Sequence, residues 1–235
     1  MRSLWISSGT VTDYSVGWPS VPSTGKGEAM STITAPAGGR KAQITSVAAR
    51  LFNEQGFHET SMEDVAKAVG IKKPTLYHHV KSKAQIVAWI HDECVEAVGP
   101  PLESYLKSDF TASEILRRVA MDIFRLLEDR PGYLRVYFEH HRDLDPRSRS
   151  RIRKKRDEYW ANVRRVIERG NESGEFNVSN PTLASMAFFG MCNWGYQWYR
   201  PGGSRSASEI GDYVCSIFLA GALAPGTDRT PDPRR

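Results

Sequence analysis

Apolar residues recur every three or four positions along most of the chain from residue 40 onward, which is the period of an α-helix. The first three segments are short, and their apolar residues are Ile44, Ala48, Leu51 and Phe52, then Met62, Val65, Ala66 and Val69, then Ile71, Leu76 and Val80. Ser61 can cap the second segment, with Asp64 as its acidic partner. Gly70 follows that segment, and Pro74 falls in the first turn of the next. The spacing predicts two short helices joined by a tight turn, a helix-turn-helix.

The remainder of the chain to residue 224 shows the same period in longer segments. Ser82 caps a connecting helix that the Gly99–Pro101 segment is expected to end. Further helices are predicted from Thr111 or Ser113, from Pro131, over about 146–170, over about 181–199, and from Ser206 or Ser208 to Ala222. The 181–199 segment is apolar almost all round, so a second subunit is expected to cover it. We therefore predict an all-α fold, with a three-helix helix-turn-helix domain at residues 40–83 and a helical bundle at residues 84–224 for effector binding and dimerisation.

The third short segment, which follows the tight turn, is expected to form a helix with hydrogen-bond donors on the face opposite its apolar stripe. These residues are Lys72, Lys73, Thr75, Tyr77, His78 and His79. Residues 40–83 hold eight Lys or Arg against four acidic residues, a net charge of +4 in a chain whose total is +5. Clustered cations of this kind favour phosphate as a partner. The alternative is an ordinary helical hairpin with a solvated basic face.

From Ala42 to about Ala97 the chain resembles the DNA-binding domain of the TetR family of transcriptional regulators, most closely in the run PTLYHHVKSK at residues 74–83. The resemblance implies that Ser61, Thr75, His78, His79 and Lys83 bond backbone phosphates, while Lys73, Pro74 and Tyr77 contact base edges. Met62 stands where the family's namesake has a guanine-reading arginine, so the operator sequence does not carry over. The full predicted DNA-binding set is Thr60, Ser61, Met62, Lys72, Lys73, Pro74, Thr75, Tyr77, His78, His79 and Lys83. Its expected partner is a palindromic double-stranded DNA operator, bound by a homodimer.

Both ends of the chain lack the helical period. Residues 1–39 are rich in Ser, Thr, Gly and Pro and predict a flexible arm, and residues 225–235 predict a disordered tail. Met30 begins a segment that looks like a more usual start for this family, so residues 1–29 can come from an upstream start-codon assignment. Alternatively the arm, with Arg40 and Lys41, reaches into an adjacent minor groove.

The sequence offers no convincing constellation for catalysis. Cys94, Cys192 and Cys215 are widely spaced in apolar surroundings, which favours a reducing cytoplasm and no metal cluster. HExxH, Walker and GxGxxG motifs are missing, and the acidic and histidine residues of 139–145 are interpreted as an exposed helix end rather than a cation site. No apolar stretch is long enough to span a bilayer. We therefore predict a cytoplasmic protein that is not an enzyme and has no metal or cofactor. The alternatives are a ligand-independent architectural DNA-binding protein and an enzyme of coenzyme A metabolism.

The C-terminal half is rich in aromatic residues that either pack as core or enclose an apolar ligand. The tentative effector-binding residues are Phe124, Tyr137, Phe138, Trp160, Phe189, Trp194 and Trp198. The run WYRPGG at residues 198–203 resembles TetR-family regulators of steroid and fatty-acid breakdown, some of which respond to coenzyme A thioesters. The basic run Arg147–Arg156 is a solvated helix face, an anion mouth for coenzyme A phosphates, or a supplementary DNA contact. The expected function is repression that ends when a small apolar effector, such as an acyl- or steroid-coenzyme A thioester, enters the bundle.

Overall fold

The computed structural model describes residues 39–223, and within that range every regular element is a helix. The helices are α1 (Gly39–Gln55), α2 (Met62–Val69), α3 (Lys73–His79), α4 (Lys83–Leu106), α5 (Ala112–Asp129), α6 (Tyr133–Glu139), α7 (Pro146–Glu172), α8 (Pro181–Asn193), α9 (Gly195–Trp198) and α10 (Ala207–Ala222). A 3-10 turn, His141–Asp143, links α6 to α7, and an isolated β-bridge pairs Phe176 with Leu223. The predicted all-α fold is confirmed. The predicted tail, and the arm up to residue 38, lie outside the described residues.

Helices α1, α2 and α3 begin and end where local signals in the sequence place them. The Ser61 hydroxyl accepts the Asp64 N–H at 3.1 Å, and the Asp64 carboxylate accepts the Ser61 N–H at 2.8 Å. Gly70 ends α2 with φ +76°, the left-handed conformation that glycine adopts without strain. Pro74 lies in the first turn of α3. The buried residues that join the three helices are Ile44, Ala48, Leu51, Phe52, Val65, Ala66, Val69, Leu76 and Val80.

Helix α4 runs through the Gly99–Pro101 segment to Leu106, so the predicted helix end at those prolines is wrong. A proline inside a helix removes a backbone donor and costs about 3 kcal/mol or more. Leu102 is buried, and the Tyr105 hydroxyl donates to Asp122 of α5 at 2.9 Å. This packing on α5 stabilises the last two turns of α4 beyond the prolines.

Helix α6 begins at Tyr133, after Gly132 rather than at Pro131, and it packs directly on α1. Gly132 has φ +84°, and a Cβ there would lie 2.6 Å from the carbonyl oxygen of Ala49. Only glycine permits this approach between the two backbones. Arg135 adds a hydrogen bond from Nε to the side-chain oxygen of Asn53 at 2.9 Å. The bundle is therefore in contact with the first three helices through α6.

The apolar segment predicted as one helix over 181–199 is interrupted at Trp194 and forms α8 and α9. Gly195 begins α9 against α5, where a Cβ would lie 2.9 Å from the side chain of Leu127. Helix α10 packs along α5, and a Cβ on Gly211 would lie 2.7 Å from the Cα of Met121. In the part of the chain that is described, no helix combines the length and apolar character that crossing a bilayer requires.

Candidate functional site

The surface of α3 presents most of the predicted DNA-binding residues. Leu76 and Val80 are buried, which turns the other side chains of this segment outward. The exposed members of the predicted set are Ser61, Lys72, Lys73, Pro74, Thr75, Tyr77, His78 and His79, and Met62 is partly buried at the start of α2. The Lys73 ammonium lies 3.3 Å from the Glu63 carboxylate, with both side chains largely exposed. Such a pair is weak, so Lys73 can exchange Glu63 for another anion. An exposed helix with several donors and one aromatic ring suits the major groove.

Thr60 and Lys83 depart from the surface role predicted for them. Thr60 is fully buried, and its hydroxyl donates to the carbonyl oxygen of Gly56 at 2.8 Å. The Lys83 ammonium donates to the carbonyl oxygens of Phe57 at 2.6 Å and Thr60 at 2.8 Å, and it lies 4.5 Å from the centre of the Phe57 ring. Thr60 therefore does not offer its side chain to DNA in this arrangement, and Lys83 holds the turn between α1 and α2.

Residues 139–145, for which the sequence offered a cation site as the less favoured interpretation, form the connection between α6 and α7. His140 Nδ1 lies 3.0 Å from the Asp143 carboxylate. Asp145 caps α7 by accepting the Ser148 N–H at 3.0 Å, and the hydrogen bonds from Ser148 lower the pKa of Asp145. The His140 ring also packs on the Phe57 ring at 4.6 Å between centroids. Within residues 39–223 no group of three or more His, Cys, Asp or Glu is placed to hold a metal ion.

The seven tentative effector residues divide between the interior and the surface of the bundle. Phe124 and Phe189 are buried, and Tyr137 and Phe138 are partly buried. The exposed members are Trp160, Trp194 and Trp198. Trp160 stacks on Phe189 with ring centroids 5.1 Å apart. Phe124, Phe189, Tyr137 and Phe138 are thus placed inside the single chain, whereas the three tryptophans lie at its surface.

The exposed apolar surface of α8, α9 and α10 is the set of six large apolar side chains that these helices and Trp194 leave exposed. Its members are Leu183, Met186, Trp194, Trp198, Tyr213 and Ile217. Tyr213 is 69% exposed and Trp194 is 55% exposed. Leu183, Met186 and Trp194 recur at helical spacing, as do Tyr213 and Ile217. Clustered exposed apolar side chains mark interaction surfaces, and the members from Leu183 to Trp198 fall within the 181–199 segment that the sequence predicted to be covered by a second subunit.

The basic run Arg147–Arg156 is largely paired with carboxylates and carbonyl oxygens. Arg151 forms a two-point ion pair with Asp92 of α4, and Lys155 pairs with Glu96 one turn further along α4. Arg149 donates to the carbonyl oxygen of Leu144 at 2.8 Å. The run is therefore neither a purely solvated face nor an unbalanced cluster of cations, because it joins α7 to α4.

Sequence reasoning missed His91, a buried histidine on α4 inside the bundle. It is 2% exposed and faces the Tyr137 ring with centroids 4.6 Å apart. Burial lowers the pKa of His91 to about 4. The sequence does contain a signal for the burial of His91, since His91 falls one helical turn after Val87 on the apolar stripe of α4. The buried thiols Cys94 and Cys192 lie in the same interior, and burial raises the pKa of both.

Comparisons with known proteins cover both parts of this architecture. Residues 44–90 match a family described as "Bacterial regulatory proteins, tetR family". Residues 109–222 match a second, described as "Tetracyclin repressor-like, C-terminal domain". The first range contains α2 and α3 with most of α1, and the second contains α5 to α10.

Individual relatives resemble the chain over most of their length. The transcriptional repressor KstR2 of Rhodococcus jostii is 26% identical over 192 residues, which are 80% of this chain and 93% of that protein. The crystal structure of the TetR-family regulator PfmR from Thermus thermophilus is 31% identical, with a TM-score of 0.71 over 76% of this chain and 97% of that one. AibR, solved in complex with isovaleryl coenzyme A and operator DNA, is 23% identical, with a TM-score of 0.67 over 77% and 98%. The last of these similarities concerns the fold alone.

Proposed function

Because the chain belongs to the TetR family of transcriptional regulators, whose members bind DNA and are not enzymes, we propose that it is a homodimeric repressor released from a palindromic operator by a small effector. The observation that carries this proposal is the exposed face of α3. Lys73 and Tyr77 are exposed on it, while the buried Leu76 lies on the opposite face of a helix that packs on α2. Lys73 and Tyr77 are the residues that we assign to base edges, while Thr75, His78 and His79 are assigned to phosphates.

The exposed apolar surface of α8, α9 and α10 supports a dimer. Tyr213 and Ile217 of α10 and Leu183 and Met186 of α8 leave apolar side chains in water unless a partner covers them. Two copies related by a two-fold axis would cover the same surface on each other. The dimer then places two α3 helices on successive major grooves, about 34 Å apart.

An acyl- or steroid-coenzyme A thioester is the effector class that we propose. The structural relative AibR has isovaleryl coenzyme A bound together with operator DNA, and the bundle here has an aromatic interior around Phe124, Tyr137 and Phe189. The basic run Arg147–Arg156 adds little support for a phosphate site, because Arg151 and Lys155 already pair with acids of α4.

The contact between α6 and α1 supports a route from effector to DNA. A Cβ on Gly132 would lie 2.6 Å from the Ala49 carbonyl, so α6 has little room to move without moving α1. A ligand that shifts α6 would therefore change the separation of the two α3 helices. The coupling between effector and operator affinities in such systems is typically about 1–3 kcal/mol, or roughly 5–150-fold.

Fluorescence anisotropy with labelled operator and random duplexes tests this function. We expect Lys73→Ala and Tyr77→Ala each to lose about fivefold or more in the preference for operator over random DNA, because base contacts carry about 1–3 kcal/mol of discrimination. Lys107→Ala, an exposed cation of the bundle, is the matched control and keeps the preference. If Lys73→Ala and Tyr77→Ala kept the same preference for operator over random DNA as the Lys107→Ala control, the assignment of α3 to base contacts would be contradicted.

A further inference from the structure

Glu63, in the first turn of α2, is an acidic residue beside the surface that we assign to DNA. Its carboxylate lies 3.3 Å from the ammonium of Lys73, the first residue of α3. The Glu63 side chain is 73% exposed and that of Lys73 is 50% exposed. A carboxylate near phosphates weakens binding to every DNA sequence, because DNA is a polyanion. The position of Glu63 therefore suits discrimination between sequences better than affinity for DNA in general.

The neighbouring acid, Asp64, has a local structural role that differs from that of Glu63. The Asp64 carboxylate accepts the N–H of Ser61 at 2.8 Å and the hydroxyl of Ser61 at 2.6 Å, which caps α2. Within residues 39–223, the Glu63 carboxylate instead accepts a hydrogen bond from Lys73 on the next helix. An exposed ion pair of this kind adds little to the stability of the fold. Glu63 and Lys73 can therefore exchange each other for groups on DNA at little cost.

The two charged groups together match the major-groove edge of a G·C base pair. Guanine presents the acceptors N7 and O6, which suit a lysine, and cytosine presents the N4 amino donor, which suits a carboxylate. Guanine O6 and cytosine N4 share a hydrogen bond and so lie about 2.9 Å apart, a spacing close to the 3.3 Å between Lys73 Nζ and Glu63 Oε2. Recognition helices place their N-terminal residues at base edges, and Lys73 is at that end of α3.

We propose that Glu63 is a specificity-determining residue that accepts a hydrogen bond from a cytosine amino group, while Lys73 donates to the guanine paired with that cytosine. This inference rests on the proposed DNA-binding function and adds an acidic reader on α2 to the basic reader on α3. Where thymine replaces the cytosine, the carboxylate meets the O4 acceptor instead of an amino donor. Glu63 thereby penalises binding to such sites.

Selection of duplexes from a randomised library, followed by anisotropy titration, tests the proposal with the full chain. The titrated duplexes are the selected operator and its single-base-pair variants. We expect the parent chain to select half-sites with a fixed G·C pair, and replacement of that pair by A·T to weaken binding by at least about tenfold, or about 1.4 kcal/mol. Glu63→Ala and Lys73→Ala should each reduce this penalty by at least about threefold at the same base pair, while the penalties at the other positions stay as in the parent.

Glu59→Ala is the matched control, since Glu59 is an exposed acid of the turn before α2. It removes the same charge from the same unit, so it should strengthen binding to all duplexes alike and leave the penalty at the G·C pair unchanged. The Glu63 and Lys73 side chains are largely exposed, so we expect Glu63→Ala to change the melting temperature by less than about 3 °C.

An unchanged penalty at every base pair in Glu63→Ala would overturn the inference, because Glu63 would then act on DNA only through its charge, as Glu59 does. A loss spread evenly over all positions would also overturn it, since it would show a structural role. Either result, in a parent chain that selects palindromic sites, contradicts only the reading by Glu63. A parent chain that selects no shared sequence contradicts the proposed regulator and, with it, the reading by Glu63.

Discussion

Lys83 provides a direct test of how the DNA-binding unit is built. Its ammonium donates to the carbonyl oxygens of Phe57 at 2.6 Å, Thr60 at 2.8 Å and His58 at 3.3 Å. Charge-assisted hydrogen bonds contribute about 1.5–3 kcal/mol each when buried, but Lys83 is partly exposed and water can replace some of them. We therefore expect Lys83→Met, which keeps the apolar stem, to lower the free energy of unfolding by about 2 kcal/mol. For a domain of this size that corresponds to a fall of roughly 4–8 °C in melting temperature.

The assay is thermal unfolding of the ligand-free protein, together with DNA affinity at several salt concentrations. Lys81→Met is the matched control, since Lys81 is an exposed cation two residues away, and we expect a change within about 0.5 kcal/mol. A Lys83 that acted only on phosphate would leave the melting temperature unchanged and lower the salt dependence of binding by about one counterion. That pair of results would refute the structural role of Lys83.

Three other predictions concern packing, assembly and pH. Gly132→Ala places a Cβ 2.6 Å from a backbone carbonyl at φ +84°, so we expect the free energy of unfolding to fall by more than about 2 kcal/mol, measured by denaturant titration. Tyr213→Glu combined with Ile217→Glu places two charges on the exposed apolar surface of α10, and we expect light scattering to report a dimer for the parent chain and a monomer for the variant. The pKa of His91 is about 4 in the folded chain against 6.5 unfolded, so unfolding takes up a proton as the pH falls through this window. Stability should decline by up to about 1.4 kcal/mol per pH unit from pH 6.5 towards 4, and His91→Phe should remove that part of the decline.

The features that sequence predicted well are those set by neighbours along the chain. Ser61 and Asp64 are three residues apart, and their capping bonds depend on nothing distant. Gly70 and Pro74 end and start helices through their own backbone preferences. The helix-turn-helix and its exposed face therefore follow from local chemistry.

The features that sequence missed depend on distant contacts. The acceptors of the Lys83 ammonium lie 23 to 26 residues away, and Arg151 and Lys155 find their carboxylates 59 residues away on α4. Helical periodicity shows that Trp194 is on an apolar face, but it does not reveal whether that face meets the chain's own core or the surface. The continuation of α4 beyond Pro101 likewise depends on packing against α5.

A genome-wide footprint of the full chain, repeated with the Lys73→Ala and Tyr77→Ala double variant, tests whether α3 reads the sequence of DNA. We expect a small set of protected sites that share an inverted repeat, with half-sites about 10 base pairs apart or a multiple of that spacing. The double variant should lose those sites while keeping weak binding to bulk DNA. Protection without a shared palindrome, or the same sites in the double variant, would contradict the claim that α3 makes this chain a sequence-specific regulator.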